Sequence, residues 1–274
     1  MAQRPGPDER GLVVVAPGVA AWLGDGPFGR PNAGVVVDQD GLTLVDTLLS
    51  PTQAQPFAGA LDGLGRPVRR VVLSSAHIPF AGGSSQFVAA AFYGSPTTSD
   101  LLDLPPFVAG YRRLVPDLAG HFDDEFATRP VSHTVERDAL LTDAVVVRCT
   151  AGESADNLVV DVPGAGVLFA GAMASFGTTP LAFDGDPAAW AAALRALAVD
   201  HDVVVPGHGP VGGRVELEQQ AAYLEACVAG SIPAGPWDRW TDRRFDAVNI
   251  ERAAMLADGD LRPPPAMLRL LGLA

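Results

Sequence analysis

The chain has 274 residues, 48% hydrophobic and 19% charged, which is enough apolar mass for a sizeable core and too little charge for long disorder. A net charge of −13 argues against nucleic acid or an anionic membrane surface as a partner. Every one of the 19 Lys-or-Arg positions is arginine, so Schiff-base chemistry on a lysine amine is excluded.

The composition, rich in Ala, Gly and Pro, fits codon bias in a GC-rich genome. Cys149 and Cys227 show neither metal-ligand spacing nor a disulfide framework, and read as small buried hydrophobes. The first seven residues lack an apolar run before a cleavage site, so no signal peptide is expected. No run approaches the roughly 18 apolar residues of a membrane span, and a cytoplasmic location is the default expectation.

In chain order, residues 1–10 are polar and expected to fray. Leu12–Val15, Val35–Asp38 and Leu42–Val45 read as strands, the last two joined by a hairpin turn at Gln39-Asp40-Gly41. Thr52–Leu64 has helical character, Val68–Leu73 is a buried strand, and Gly83–Phe92 reads as a helix with Phe87 and Val88 facing the core. Residues 93–130 suggest short helices and loops over a cleft.

The second half repeats the order of strands then helices. Ala144–Thr150, Leu158–Val162 and Val167–Ala170 are strand-like. Pro187–Ala198 is a helix opened by Asp186 as N-cap. Val203-Val204-Val205 is a strand ending at Pro206-Gly207-His208-Gly209, and Leu217–Ala229 is a helix. The expected fold is α/β: an αββα sandwich of two mixed sheets flanked by helices. The domain reading is a flexible 1–10, an αββα domain over 11–215, and a C-terminal helical extension over 216–274 packed on it.

Five motifs bear on function. Asn32-Ala33-Gly34-Val35-Val36 with Gly41-Leu42-Thr43-Leu44-Val45-Asp46-Thr47 forms the first, and Ser75-Ala76-His77-Ile78-Pro79-Phe80 before Gly82-Gly83 the second. Gly152-Glu153-Ser154, Leu168-Phe169-Ala170-Gly171-Ala172 and Pro206-Gly207-His208-Gly209-Pro210 complete the set. In this order they resemble the metallo-β-lactamase superfamily. The tail residues Phe245, Asn249, Glu251 and Arg252 resemble C-terminal helices of hydrolase- or cyclase-like members.

The resemblance implies where that family holds two metal ions. The first-ion positions are Ser75, His77 and Glu153; the second-ion positions are Pro79, Phe80 and His208, with Ala172 at the bridging position. Two histidines survive and one ligand has become a carboxylate. Catalytic zinc needs about three protein donors at ~2 Å, and proline, phenylalanine and alanine side chains supply none. A binuclear zinc centre is therefore disfavoured and no cofactor is expected. A single Zn or Fe on His77, Glu153 and His208 stays open as an alternative.

The expectation is a metal-independent enzyme acting on an organic small molecule by acid/base chemistry: cyclisation, isomerisation, dehydration or elimination, in a specialised-metabolism setting. His77, Glu153, His208 and Ser75 are the catalytic candidates; Pro79, Phe80, Ala172, Met173, Phe176 and Ser154 are the pocket candidates. Burial is expected to raise the carboxyl pKa and lower the histidine pKa, moving both toward neutrality. Two alternatives remain: a mononuclear metal-dependent hydrolase of a thioester, lactone or other ester, and a non-catalytic metabolite-binding protein. His121, His133 and His201 read as surface or helix-end residues, Asp46 as structural, and Asp184 and Asp186 as turn and helix caps. A homo-oligomer is left open.

Overall fold

A computed structural model describes residues 11–24 and 26–274; the stretch 1–10, expected to fray, lies outside them. One sheet holds β1 (Val13–Ala16), β2 (Val19–Trp22), β3 (Ala33–Val37), β4 (Leu42–Val45), β5 (Val68–Val72), β6 (Ala91–Gly94) and β7 (His133–Thr134), side by side in that order. β1 to β4 pair antiparallel and β4 to β7 pair parallel. The other sheet holds β8 (Ala139–Leu140), β9 (Val146–Thr150), β10 (Asn157–Val162), β11 (Val167–Ser175) and β12 (Val203–His208). Among the described residues its one parallel pair is β11 with β12.

The helices are α1 (Pro51–Asp62), α2 (Ile78–Ala81), α3 (Pro96–Leu102), α4 (Val108–Leu114), α5 (Pro187–Asp200), α6 (Arg214–Val228), α7 (Asp246–Ala257) and α8 (Pro265–Leu271). Side chains alternate across a strand, and here both faces of each sheet are covered. Val36, Val45 and Val72 meet Leu158, Val160, Phe169 and Val205 in one core between the sheets. Their chain neighbours Val35, Leu44 and Val71 turn outward to Phe57 and Leu61 of α1. Val159, Leu168 and Val204 turn outward to Trp190, Leu194, Leu217 and Leu224 of α5 and α6. Strands buried on two faces read as unbroken apolar runs, and the result is the expected αββα sandwich.

Two local expectations are corrected. Gly83–Phe92 is not a helix: α2 is followed by a 3₁₀ turn over Ser84–Gln86 and then by β6. Phe87 is buried but Val88 is 74% exposed. A Cβ on Gly82 would lie 1.9 Å from the Leu49 carbonyl oxygen, and one on Gly83 2.0 Å from that of Thr47. The glycines thus serve a close backbone approach to the loop leaving β4. Phe92 and Tyr93 then join the ladder beside Val71 and Val72, where aromatic side chains pack well. Strand β2 was also not anticipated; its Ala20 and Ala21 carry little strand signal, and pairing with β3 decides its state.

The tail is part of the same body. Leu217, Ala221 and Leu224 share one core with Leu168 and Trp190. On α7, the Asn249 amide accepts from the Ala182 N–H at 2.9 Å and donates to the Pro180 carbonyl at 2.8 Å. Arg252 donates to the carbonyls of Gly185 and Asp184 at 2.8 and 3.0 Å. The last helices therefore hold the loop 180–185 in place. A division into 11–215 and 216–274 is a proposal about topology within one continuous core.

Gly171, on β11, lies where the second sheet comes closest to Ser74 and Asp46 of the first. Its φ is +48°, and a Cβ there would sit 2.4 Å from Ser74 Cβ and Oγ. Gly171→Ala is expected to cost about 2 kcal/mol or more, read by chemical denaturation. Wild-type stability in that variant would refute the close approach.

Candidate functional site

The site gathers where β4, β5, β11 and β12 end, the rim at which parallel α/β strands generally present ligand sites. Asp46, just past β4, is buried with a φ of +63°. Its Oδ1 accepts the Ser74 N–H and its Oδ2 the Ser74 hydroxyl, both at 2.8 Å. Ser74 Oγ in turn accepts from the Ala172 N–H at 2.9 Å, which joins the two sheets. Burial pushes the Asp46 carboxyl up to about 7, against the lowering effect of the two Ser74 bonds.

From this anchor a chain of bonds leads into the cavity. Asn157 Nδ2 donates to the Ser74 carbonyl at 3.2 Å and to Glu153 Oε2 at 2.9 Å. Glu153 Oε1 bonds His77 Nδ1, and His77 Nε2 bonds Asp184 Oδ2 at 3.1 Å. His77 is thus held between two carboxylates. Its burial works against a charge, but Glu153 and Asp184 together raise its pKa well above 6.5. The ring is an imidazolium near neutral pH. The expected drift of both histidines toward lower pKa fails here because carboxylates, not apolar atoms, touch both ring nitrogens.

His208 is the opposite case. Phe28 stacks on its ring at 5.8 Å and Phe80 meets it edge-on at 5.5 Å. Burial without a charged partner pushes its pKa down to about 3. Its Nδ1 and the Thr179 hydroxyl are buried and have no protein partner among the described residues. Leaving such a group unpaired costs about 1–3 kcal/mol.

These side chains line a cavity of about 350 Å³, within the range of small-molecule sites. Of the sequence candidates, His77, Glu153, His208, Pro79, Phe80 and Ala172 line it. Ser75, Ser154, Met173 and Phe176 are not among the residues at its wall. The Ser75 hydroxyl accepts from the His77 N–H at 3.2 Å and holds the loop. The Ser154 hydroxyl donates to the Asp156 carbonyl at 2.9 Å. Met173 and Phe176 belong to the core beneath α5 and α6.

Asp184 is the residue that sequence reasoning missed. By its sequence context it reads as a turn cap, and its bond to His77 spans 107 positions of chain, leaving no local signal. Tyr111, Phe28, Phe183 and Thr179 also line the cavity without a motif to mark them. Tyr111 accepts the Ile78 N–H at 3.3 Å, and burial raises its pKa. His121 bonds Ser50 Oγ, and His201 lies buried at the end of α5 beside Asp161; neither lines the cavity.

The donor set does not fit a two-metal centre. Pro79, Phe80 and Ala172 bring no donor, both His77 nitrogens already bond carboxylates, and His208 is flanked by aromatic rings. Among the described residues, no group of three His, Cys, Asp or Glu side chains is arranged to hold an ion, so His77, Glu153 and His208 do not form a shared ligand set either.

Residues 26–208 match the family described as Metallo-beta-lactamase superfamily. The fold is similar to the metallo-beta-lactamase FIM-1 of Pseudomonas aeruginosa in its mono-zinc form: 21% identity, 80% of this chain and 97% of that one, TM-score 0.60. A metallo beta lactamase from Hirschia baltica matches at 21% identity over 78% and 97%, TM-score 0.60. The inverting sec-alkylsulfatase Pisa1 of Pseudomonas sp. matches at 18% identity over 80% of this chain and 42% of that one, TM-score 0.60. At these identities the likeness shows the fold.

The His208 environment has a measurable pH signature. The folded chain leaves His208 unprotonated down to about pH 3, whereas the unfolded chain takes up a proton near its ordinary value of 6.5. Acid therefore favours unfolding through this group, increasingly as pH falls below 6.5. Wild type is expected to lose about 3 kcal/mol more than His208→Phe between about pH 7 and pH 4. Parallel denaturation curves at several pH values check this, and equal losses would refute a neutral His208.

Proposed function

The chain belongs to the metallo-beta-lactamase superfamily, and we propose that it uses this scaffold for metal-independent proton transfer on an organic small molecule. The observation that supports this best is His77, an imidazolium bonded to Glu153 and Asp184 at the wall of a largely apolar cavity. The reaction class is cyclisation, isomerisation, dehydration or elimination.

His77 is the acid in this reading. A substrate oxygen that takes the place of Asp184 Oδ2 receives the Nε2 proton. The remaining Nδ1–H stays on Glu153, which in turn is fixed by Asn157. Asp184, with 38% of its side chain exposed, is the carboxylate free to accept a proton from the substrate and return it to His77 Nε2. One proton is given and one taken, so the enzyme ends where it began. His208 is too weakly basic for this work at a pKa of about 3, and serves as a neutral hydrogen-bonding group beside the substrate.

A second reading, ligand binding without turnover, is favoured by one feature: both ring nitrogens of His77 already have partners. Turnover separates the two. On an identified substrate, His77→Gln and Asp184→Asn are each expected to lose roughly 100-fold or more in kcat, while dialysis against a chelator leaves wild-type turnover unchanged. In the folded Asp184→Asn variant, the His77 titration followed by NMR is expected to move to lower pH, because one of its two carboxylate partners is gone. Full activity in both variants would end the proton-transfer reading, and activity lost to the chelator would end its metal independence.

A further inference from the structure

The geometry points to an uncharged, largely apolar ligand that carries a hydroxyl or carbonyl oxygen, and to a cavity that turns away carboxylates and other organic anions. This rests on the reading of the cavity as a small-molecule site and specifies what enters it. The walls are supplied by three separate parts of the chain: Leu104 and Phe107 around α3 and α4, Leu181 and Phe183 from the loop before α5, and Met267 and Leu271 from α8. Such surface rewards apolar area and offers little to a hydrated group.

The charges decide the rest. Among the described lining residues there is no arginine, and the chain has no lysine. The ionisable groups at the wall are His77, Glu153 and Asp184 with Tyr111 and His208, so two carboxylates face one imidazolium. Arg252, behind the loop, is spent on the carbonyls of Gly185, Asp184, Leu261 and Arg262. An organic anion would shed its hydration here beside two carboxylates, and the one cation at the wall, His77, already bonds both of them. The chain's overall charge of −13 repels it before entry. An organic cation fares little better, because Glu153 and Asp184 are already bonded to His77.

The hydrogen-bonding group open to a neutral oxygen is His77 Nε2, whose partner Asp184 has 38% of its side chain exposed. A hydroxyl or carbonyl oxygen accepts that N–H without bringing a charge into the cavity.

Two fluorescent probes with one aromatic frame isolate the charge. N-phenyl-1-naphthylamine is neutral, and 8-anilino-1-naphthalenesulfonate adds a single sulfonate. In fluorescence titrations of the full chain the neutral probe is expected to bind at least about tenfold more tightly. Leu104, 60% exposed at the wall, accepts a cation without burying it. Leu104→Arg is expected to tighten the sulfonate probe at least about threefold and leave the neutral probe no tighter. Leu271→Trp, which narrows the cavity from the half-buried end of α8, is expected to weaken the neutral probe at least about fivefold.

Equal or tighter sulfonate binding in wild type would overturn the proposal, as would a neutral probe that does not saturate or that ignores Leu271→Trp. These outcomes are independent of the proton-transfer reading. A charge preference can stand with His77→Gln fully active, and it can fail while that variant is dead.

Discussion

The bond pair between the Asp46 carboxylate and Ser74 sets the register of everything around the cavity. Asp46 follows β4, Ser74 follows β5, and the Ser74 hydroxyl reaches across to the Ala172 N–H of the other sheet. Two sheets that pack through apolar side chains are thereby also pinned by polar bonds, and Asn32 on the carbonyls of Pro206 and Gly209 adds more. The cost is visible in the backbone: Asp46 and Leu48 adopt positive φ, and Gly171 leaves room that a side chain would fill. Left-handed backbone at non-glycine residues costs of order 1–3 kcal/mol each. The buried bonds hold it there, and they place Glu153 and His77 through Asn157.

From that frame the two surviving histidines are driven in opposite directions. His77 meets a carboxylate at each nitrogen, so Coulomb attraction outweighs desolvation and it keeps a proton. His208 meets aromatic rings, nothing offsets desolvation, and it stays neutral. The physical difference lies in their neighbours: Glu153 and Asp184 at one, Phe28 and Phe80 at the other. The cavity therefore has a charged acid at one wall and a dry, neutral hydrogen-bonding group at another, with apolar surface between.

Shape and charge come from different parts of the chain. The sandwich supplies the polar groups on the ends of strands and the loops that follow them, where packed sheets limit their movement. The cavity's apolar walls come from α3, α4 and α8, and α7 fixes the loop 180–185 through Asn249 and Arg252. Asp184 reaches His77 only because that loop is held from behind.

The sequence by itself determined the layering and the main motifs. Unbroken apolar runs at Val35–Val36, Val71–Val72 and Val204–Val205 mark strands covered on both faces, and the residues of the five motifs were legible as letters. It also showed that Pro79, Phe80 and Ala172 bring no metal donor. Local propensity failed at Gly83–Phe92, where pairing with β5 overrode it, and at β2, whose alanines carry weak strand preference. Only the tertiary structure decided that Asp184 completes the site, that Ser75 and Ser154 support loops rather than face the cavity, and that His77 and His208 differ in charge. The Asp184 contact spans 107 residues of chain, and the two histidine charges depend on distant partners and on the local dielectric. Neither quantity is carried by short-range sequence pattern, because a side chain's pKa is set by what folding brings beside it.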